Sequence, residues 1–165
     1  MSHYRTGGPP RGEGRRRPEE ANVIDSLRKK IEEKGSLKEA FPSAEEIDRW
    51  GEKLGEILKP IKAHQMRRIH TSLKRVRRYR QLSQQKETKE EEEIRSKEIQ
   101  EELWSLRHWL AYTGGRIQSQ SRVAKGFLDI LMACVEKVKD PKDFDRLYEL
   151  MEATLAYHKY YGGED

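Results

Sequence analysis

From Ile61 to Thr113 the chain contains neither glycine nor proline, yet its middle, Ser83 to Glu93, holds no apolar side chain. Lacking both breakers, the stretch is free to be helical, but about three turns with nothing to bury gain nothing from packing. The pattern therefore predicts two core helices joined by a polar connector. Met66, Ile69, Leu73 and Val76 recur every three or four residues in the first, and Ile99, Leu103, Leu106 and Leu110 do so in the second. The connector is rich in Glu, Gln and Lys, which are good helix formers. It suits a loop in one state and a continuous helix in another, so copies of the chain are expected to be able to exchange helices as a swapped dimer in isolation.

The same spacing organises the rest of the chain. Ser43 and Glu46 carry a capping-box signature ahead of a helix over Ala44 to Leu58, with Ile47, Trp50, Leu54, Ile57 and Leu58 inward and Pro60 closing it. Gly114 and Gly115 are expected to stop the second core helix. Val123, Phe127, Ile130, Leu131, Cys134 and Val138 mark a helix from about Gln118 to Lys139. Asp140 and Pro141 then cap and open a last one, with Phe144, Leu147, Met151 and Leu155 inward, and Gly162 and Gly163 end it. Nearer the start, Val23, Ile24, Leu27 and Ile31 followed by Gly35 predict a short amphipathic helix over Ala21 to Lys34. Residues 1–20 carry five arginines and a Gly/Pro-rich run, bury almost nothing, and read as a disordered basic arm. No segment alternates with a strand period. The expected fold is all-α: a compact bundle of about five helices over residues 43–163, a short helix and linker over 21–42, and a flexible N-terminal arm.

Charge is distributed unevenly. The net +5 hides nine Lys or Arg and no acid between Lys59 and Arg80, beside eight acids and four bases between Lys86 and Glu102. On a helical wheel the apolar stripe of the helix from about Ala63 to Arg80 leaves Arg67, Lys74, Arg75 and Arg78, flanked by Arg68, on the opposite face. Like charges three and four residues apart destabilise a helix by a few tenths of a kcal/mol each, and a polyanion would relieve that repulsion. Phosphate contacts from such a row give affinity without sequence preference. Two alternatives remain at this point: a solvated face balanced by the acidic segment, or a scaffold whose basic face binds an acidic protein, with RNA contact incidental. Arg116, Arg122 and Lys125, around the glycine pair and the next helix start, are further phosphate candidates. The terminal Tyr157-His158-Lys159-Tyr160-Tyr161 cluster suits ring packing with exposed hydroxyls better than base stacking.

Several function classes fall away. With Cys134 as its one cysteine, the chain forms no internal disulfide and no cysteine-rich zinc site. None of His3, His64, His70, His108 and His158 follows an arginine at the spacing of one helical ribonuclease class. His64 and His70 point about 120° apart on one helix, too divergent for an acid–base pair. No phosphate-binding glycine loop, zinc-binding histidine pair or serine elbow occurs, so no enzyme, metal or cofactor is expected. No run approaches the roughly 18 apolar residues of a membrane span, and the first residues lack a secretory core, so a cytoplasmic location is expected.

Three short segments, in order and at compatible spacing, then point to a family. His64-Gln65-Met66-Arg67-Arg68-Ile69-His70, Leu110-Ala111-Tyr112-Thr113-Gly114-Gly115-Arg116 and Ala156-Tyr157-His158-Lys159-Tyr160-Tyr161-Gly162-Gly163 resemble motifs of the small subunit of the type III-A CRISPR effector, the Csm complex. The long N-terminal extension and the acidic connector depart from that pattern. The resemblance implies a non-catalytic helical subunit, present in several copies beside the backbone and large subunits, lining the channel of guide RNA and target RNA. In that family cleavage belongs to those other subunits. Base pairing reads sequence in guided systems, while protein holds geometry, which agrees with charge that carries no sequence preference.

Overall fold

A computed structural model describes residues 13–82, 88–117 and 121–163. Its described residues form seven helices and no strand: α1 (Glu13–Glu33), α2 (Leu37–Ala40), α3 (Ala44–Ile57), α4 (Ala63–Leu82), α5 (Lys89–Ile117), α6 (Arg122–Glu136) and α7 (Pro141–Tyr160). The expected all-α bundle is present, with α3 to α7 as its main helices.

The first core contact is α3 on α7, and small residues decide it. A Cβ on Gly51 would lie 2.4 Å from the Ala153 Cβ, and one on Gly55 would lie 2.6 Å from the backbone nitrogen of His158. Only glycine lets the two backbones approach so closely, so the helices run parallel in near contact along this ridge. α4 and α5 pack antiparallel, as do α5 and α6; Ile69, Leu73, Leu106, Leu110, Leu131 and Leu147 meet where these helices and α7 converge. α1 lies along α6, with Ile24 against Gly126, while Leu27, Ile31, Leu37 and Phe41 are fully buried.

Caps follow the sequence signals with one exchange. Asp140 accepts from the Asp143 nitrogen at 2.9 Å and Asp143 accepts from the Asp140 nitrogen at 3.2 Å, a closed capping box at the start of α7. Ser43 accepts from the Glu46 nitrogen at 3.3 Å, but the expected return bond is not made: Glu46 Oε2 instead lies 3.5 Å from Lys30 Nζ of α1. The α7 end is a Schellman motif, with Gly163 N donating to His158 O at 2.8 Å and Gly162 N to Lys159 O at 3.0 Å; Gly162, at φ +85°, takes the left-handed turn.

Three expectations need correction. α5 does not stop at Gly114 and Gly115 but runs through them to Ile117. Gly114 is buried against Leu128 of α6, so packing outweighs a cost of about 1 kcal/mol per glycine. Disorder over residues 1–20 is corrected from Glu13 onward, where α1 begins. The docked Ile24 to Ile31 part nucleates the helix, which propagates toward Glu13. The helix expected over Gln118 to Lys139 is shorter, capped by Ser121 and ending at Glu136. The rest of the arm, the Ser83 to Glu87 part of the connector and Gln118 to Gln120 lie outside the described residues.

Candidate nucleic-acid interface

α4 is held from below by Met66, Ile69, Leu73 and Val76, each 5% exposed or less. That anchoring fixes what the other sides of the helix present. On the flank toward α7, Arg77 Nη1 donates to Tyr148 Oη at 3.1 Å, with its guanidinium 4.4 Å from the ring centroid and 3.9 Å from Glu152. His70 stacks beside the same tyrosine at 5.4 Å, and Glu152 lies 3.8 Å from its Nε2. Burial, assisted by the Lys74 charge, holds the His70 imidazole below its usual value and so favours the neutral ring. These two residues stitch α4 to α7.

Arg67, Arg68, Lys74, Arg75 and Arg78 are all exposed on the remaining face. Among the described residues, none of these five side chains has a hydrogen-bond or ion-pair partner. Among the described residues, the acids opening α5, Glu90, Glu91 and Glu92, therefore form no ion pair with the row.

Arg116 is exposed near the end of α5, its guanidinium 5.9 Å from the Tyr112 ring centroid. Thr71 and Ser72 of α4 share a groove with Ser105 and Trp109 of α5, and the antiparallel course of α5 carries its end, with Arg116, toward the start of α4. Arg122 and Lys125 are not brought to it. They line a separate groove of about 1020 Å³ between α1 and α6, together with Glu20, Asp25, Arg28 and Asp129. Its charge is mixed, and Arg28 already reaches Asp129 at 4.0 Å.

The terminal cluster packs rather than opens. Tyr157 Oη donates to both Asp48 oxygens, at 3.0 and 2.9 Å, Tyr161 Oη donates to Glu52 at 2.8 Å, and buried His158 bonds the Ile61 carbonyl at 2.7 Å. Tyr160 alone stays 77% exposed. Burial pushes the Cys134 thiol up to about 12, which removes it as a nucleophile near neutral pH. Among the described residues no group of three or more His, Cys, Asp or Glu is placed to hold a metal. No described helix is long and apolar enough to cross a membrane.

Sequence reasoning missed a groove of about 340 Å³ between α4 and α5, beside Arg75. Its signal was present but faint: the small Thr71 and Ser72 of α4 face the small Ser105 of α5, with Trp109 at the edge of the apolar stripe.

The three motif segments thus have structural places: the opening of the cationic helix, the through-running end of α5, and the capped terminus of α7. A family model described as Csm2 Type III-A matches residues 42–164, which takes in α3 to α7 and leaves α1 and α2 outside. No curated protein and no solved structure matches the chain. With a match over most of its length, the chain belongs to the Csm2 Type III-A family, the small subunit of the type III-A Csm complex.

Proposed function

We propose that this subunit is non-catalytic and holds the backbone of guide RNA or target RNA, without regard to sequence, on the exposed face of α4. The observation that carries the reading is the row Arg67, Arg68, Lys74, Arg75 and Arg78: exposed, without partners among the described residues, and fixed by a fully buried opposite edge. Arg116 extends that surface. Arg122 and Lys125 form a second, weaker contact, because Glu20, Asp25 and Asp129 share their groove. The partners are RNA, the backbone and large subunits, and further copies of the chain, acting together in the prokaryotic cytoplasm. Contacts weak in one copy become effective through repetition along one strand.

Single-stranded RNA binding loses about 0.7 in log affinity per decade of salt for each neutralised phosphate, so four contacts give a slope near -3. The variant R67A/K74A/R75A/R78A is expected to flatten that slope most of the way to zero while its thermal melting is kept. An unchanged slope overturns the assignment. Binding to partner subunits that survives ribonuclease treatment but is lost in the variant would instead make the face a protein-docking surface.

A further inference from the structure

We infer that the groove between α4 and α5 receives a base and its ribose from the strand whose phosphates lie on the α4 row. The inference rests on that phosphate reading and goes beyond it, since it turns a surface that senses charge alone into one that distinguishes a single strand with free bases from a bare polyanion.

The groove is lined by Thr71, Ser72 and Arg75 from α4 and by Glu102, Ser105 and Trp109 from α5. Its volume, about 340 Å³, falls at the small end of the roughly 300–1,000 Å³ of ligand clefts. Arg75 belongs both to the row and to the groove, so a phosphate held there leaves its own nucleoside at the opening. The lining then selects what enters. A phosphate is excluded by the Glu102 carboxylate, and so is an acidic protein segment. A basic segment is repelled at the rim by Arg75 and its neighbours. What fits is a neutral, planar, polar group attached to an anion, which describes a nucleotide.

The remaining side chains suit that occupant. Thr71, Ser72 and Ser105 supply hydroxyls that both donate and accept, and Ser72 Oγ, donating to Arg68 O at 3.1 Å, keeps its lone pairs for a base or ribose donor. Glu102 accepts from a 2′-hydroxyl, a donor that DNA lacks. Trp109 is half-buried at the edge of the groove, and Tyr112, further along α5, is 66% exposed. Trp109 also packs against the core and offers a base only its open edge, whereas Tyr112, with the Arg116 guanidinium 5.9 Å from its ring, is the exposed ring that base stacking uses.

The test uses the full chain and two short probes of equal length, a single-stranded adenine homopolymer RNA and its abasic ribose-phosphate counterpart, at one fixed salt concentration. The base-bearing probe is expected to bind at least about fivefold more tightly, as one stacked base provides. Ser105→Phe, which fills the groove from an exposed position and leaves every cation of the row in place, is expected to reduce that ratio to near one. Tyr112→Ala should lower it without affecting folding. In all three proteins the salt slope should stay the same. Equal affinity for the two probes with an intact slope overturns the groove assignment alone and leaves the groove to a protein neighbour. So does a ratio that Ser105→Phe leaves unchanged. A flat slope in the unaltered protein overturns the phosphate reading, and this inference with it.

Discussion

At Tyr161 a phenol is bonded to the Glu52 carboxylate at 2.8 Å, and that bond, with the nearby acids, pushes the hydroxyl up to about 12. Tyr157 is raised for the same reason by its bond to Asp48. An ordinary tyrosine ionises near pH 10. Because the folded value lies above the unfolded one, the protonated phenol favours the fold: its contribution is whole below about pH 10 and drains away as pH climbs toward 12. Burial raises Tyr148 as well, so tyrosinate absorbance should show at least three of the seven tyrosines, Tyr148, Tyr157 and Tyr161, titrating late, and Tyr161→Phe should remove one of them and soften the alkaline unfolding transition. Late ionisation that persists unchanged in Tyr161→Phe would reject the assignment. His158 makes the companion case. Its side chain is 2% exposed and satisfies the Ile61 carbonyl in the link between α3 and α4. His158→Leu leaves that carbonyl unpaired, with an expected loss of about 1–3 kcal/mol in urea unfolding. The sequence marked this cluster as packing material, but it gave no means of finding Asp48, Glu52 or Ile61 as partners, because pairing across the chain carries no local signal.

Among the elements, those whose burial is periodic were legible and those set by close approach were not. The stripes of α3, α4, α6 and α7 were read from spacing, and Asp140 with Pro141 gave the start of α7. The glycine pair at 114 and 115 misled, since a local preference for ending a helix yields when one glycine is buried against a neighbouring helix. Gly51 and Gly55 give no local signal of their role inside α3, although they set its close approach to α7. Gly55→Ala tests that role. The new methyl would lie 2.6 Å from both the Tyr157 Cβ and the His158 nitrogen, and backbone cannot give way as a side-chain tip can. A gain of about 1 kcal/mol in helix propensity is outweighed, and thermal or urea unfolding is expected to show a net loss of about 1–3 kcal/mol. A neutral or stabilising outcome would mean that α3 and α7 lie further apart. The cationic row was legible for an opposite reason: its residues were picked by wheel geometry on a helix whose buried edge is unambiguous, whereas Arg122 and Lys125 depended on how α1 lies, which spacing does not predict.

For the whole molecule, the open question posed by the sequence is whether α4 and α5 pair within one chain or between two. The structure supplies the device that ends the connector: Thr88 Oγ1 accepts from the Glu91 nitrogen at 3.3 Å and its carbonyl from the Glu92 nitrogen at 3.0 Å, so Thr88 is the N-cap of α5. A swapped dimer keeps every contact between the two helices and differs only where the chain turns back, so its population depends on how readily that cap gives way to continuous helix. Thr88→Ala removes the cap at a cost of about 1 kcal/mol to each closed protomer, while the residues before it remain good helix formers. Two protomers then shift the dimerisation constant by about 2 kcal/mol, roughly thirtyfold toward the dimer. Gln85→Pro works in the opposite direction, because proline cannot continue a helix through the connector. Light scattering over a concentration series should place Thr88→Ala above the unaltered protein in dimer content and Gln85→Pro below it. Three indistinguishable monomers up to high concentration would reject helix exchange.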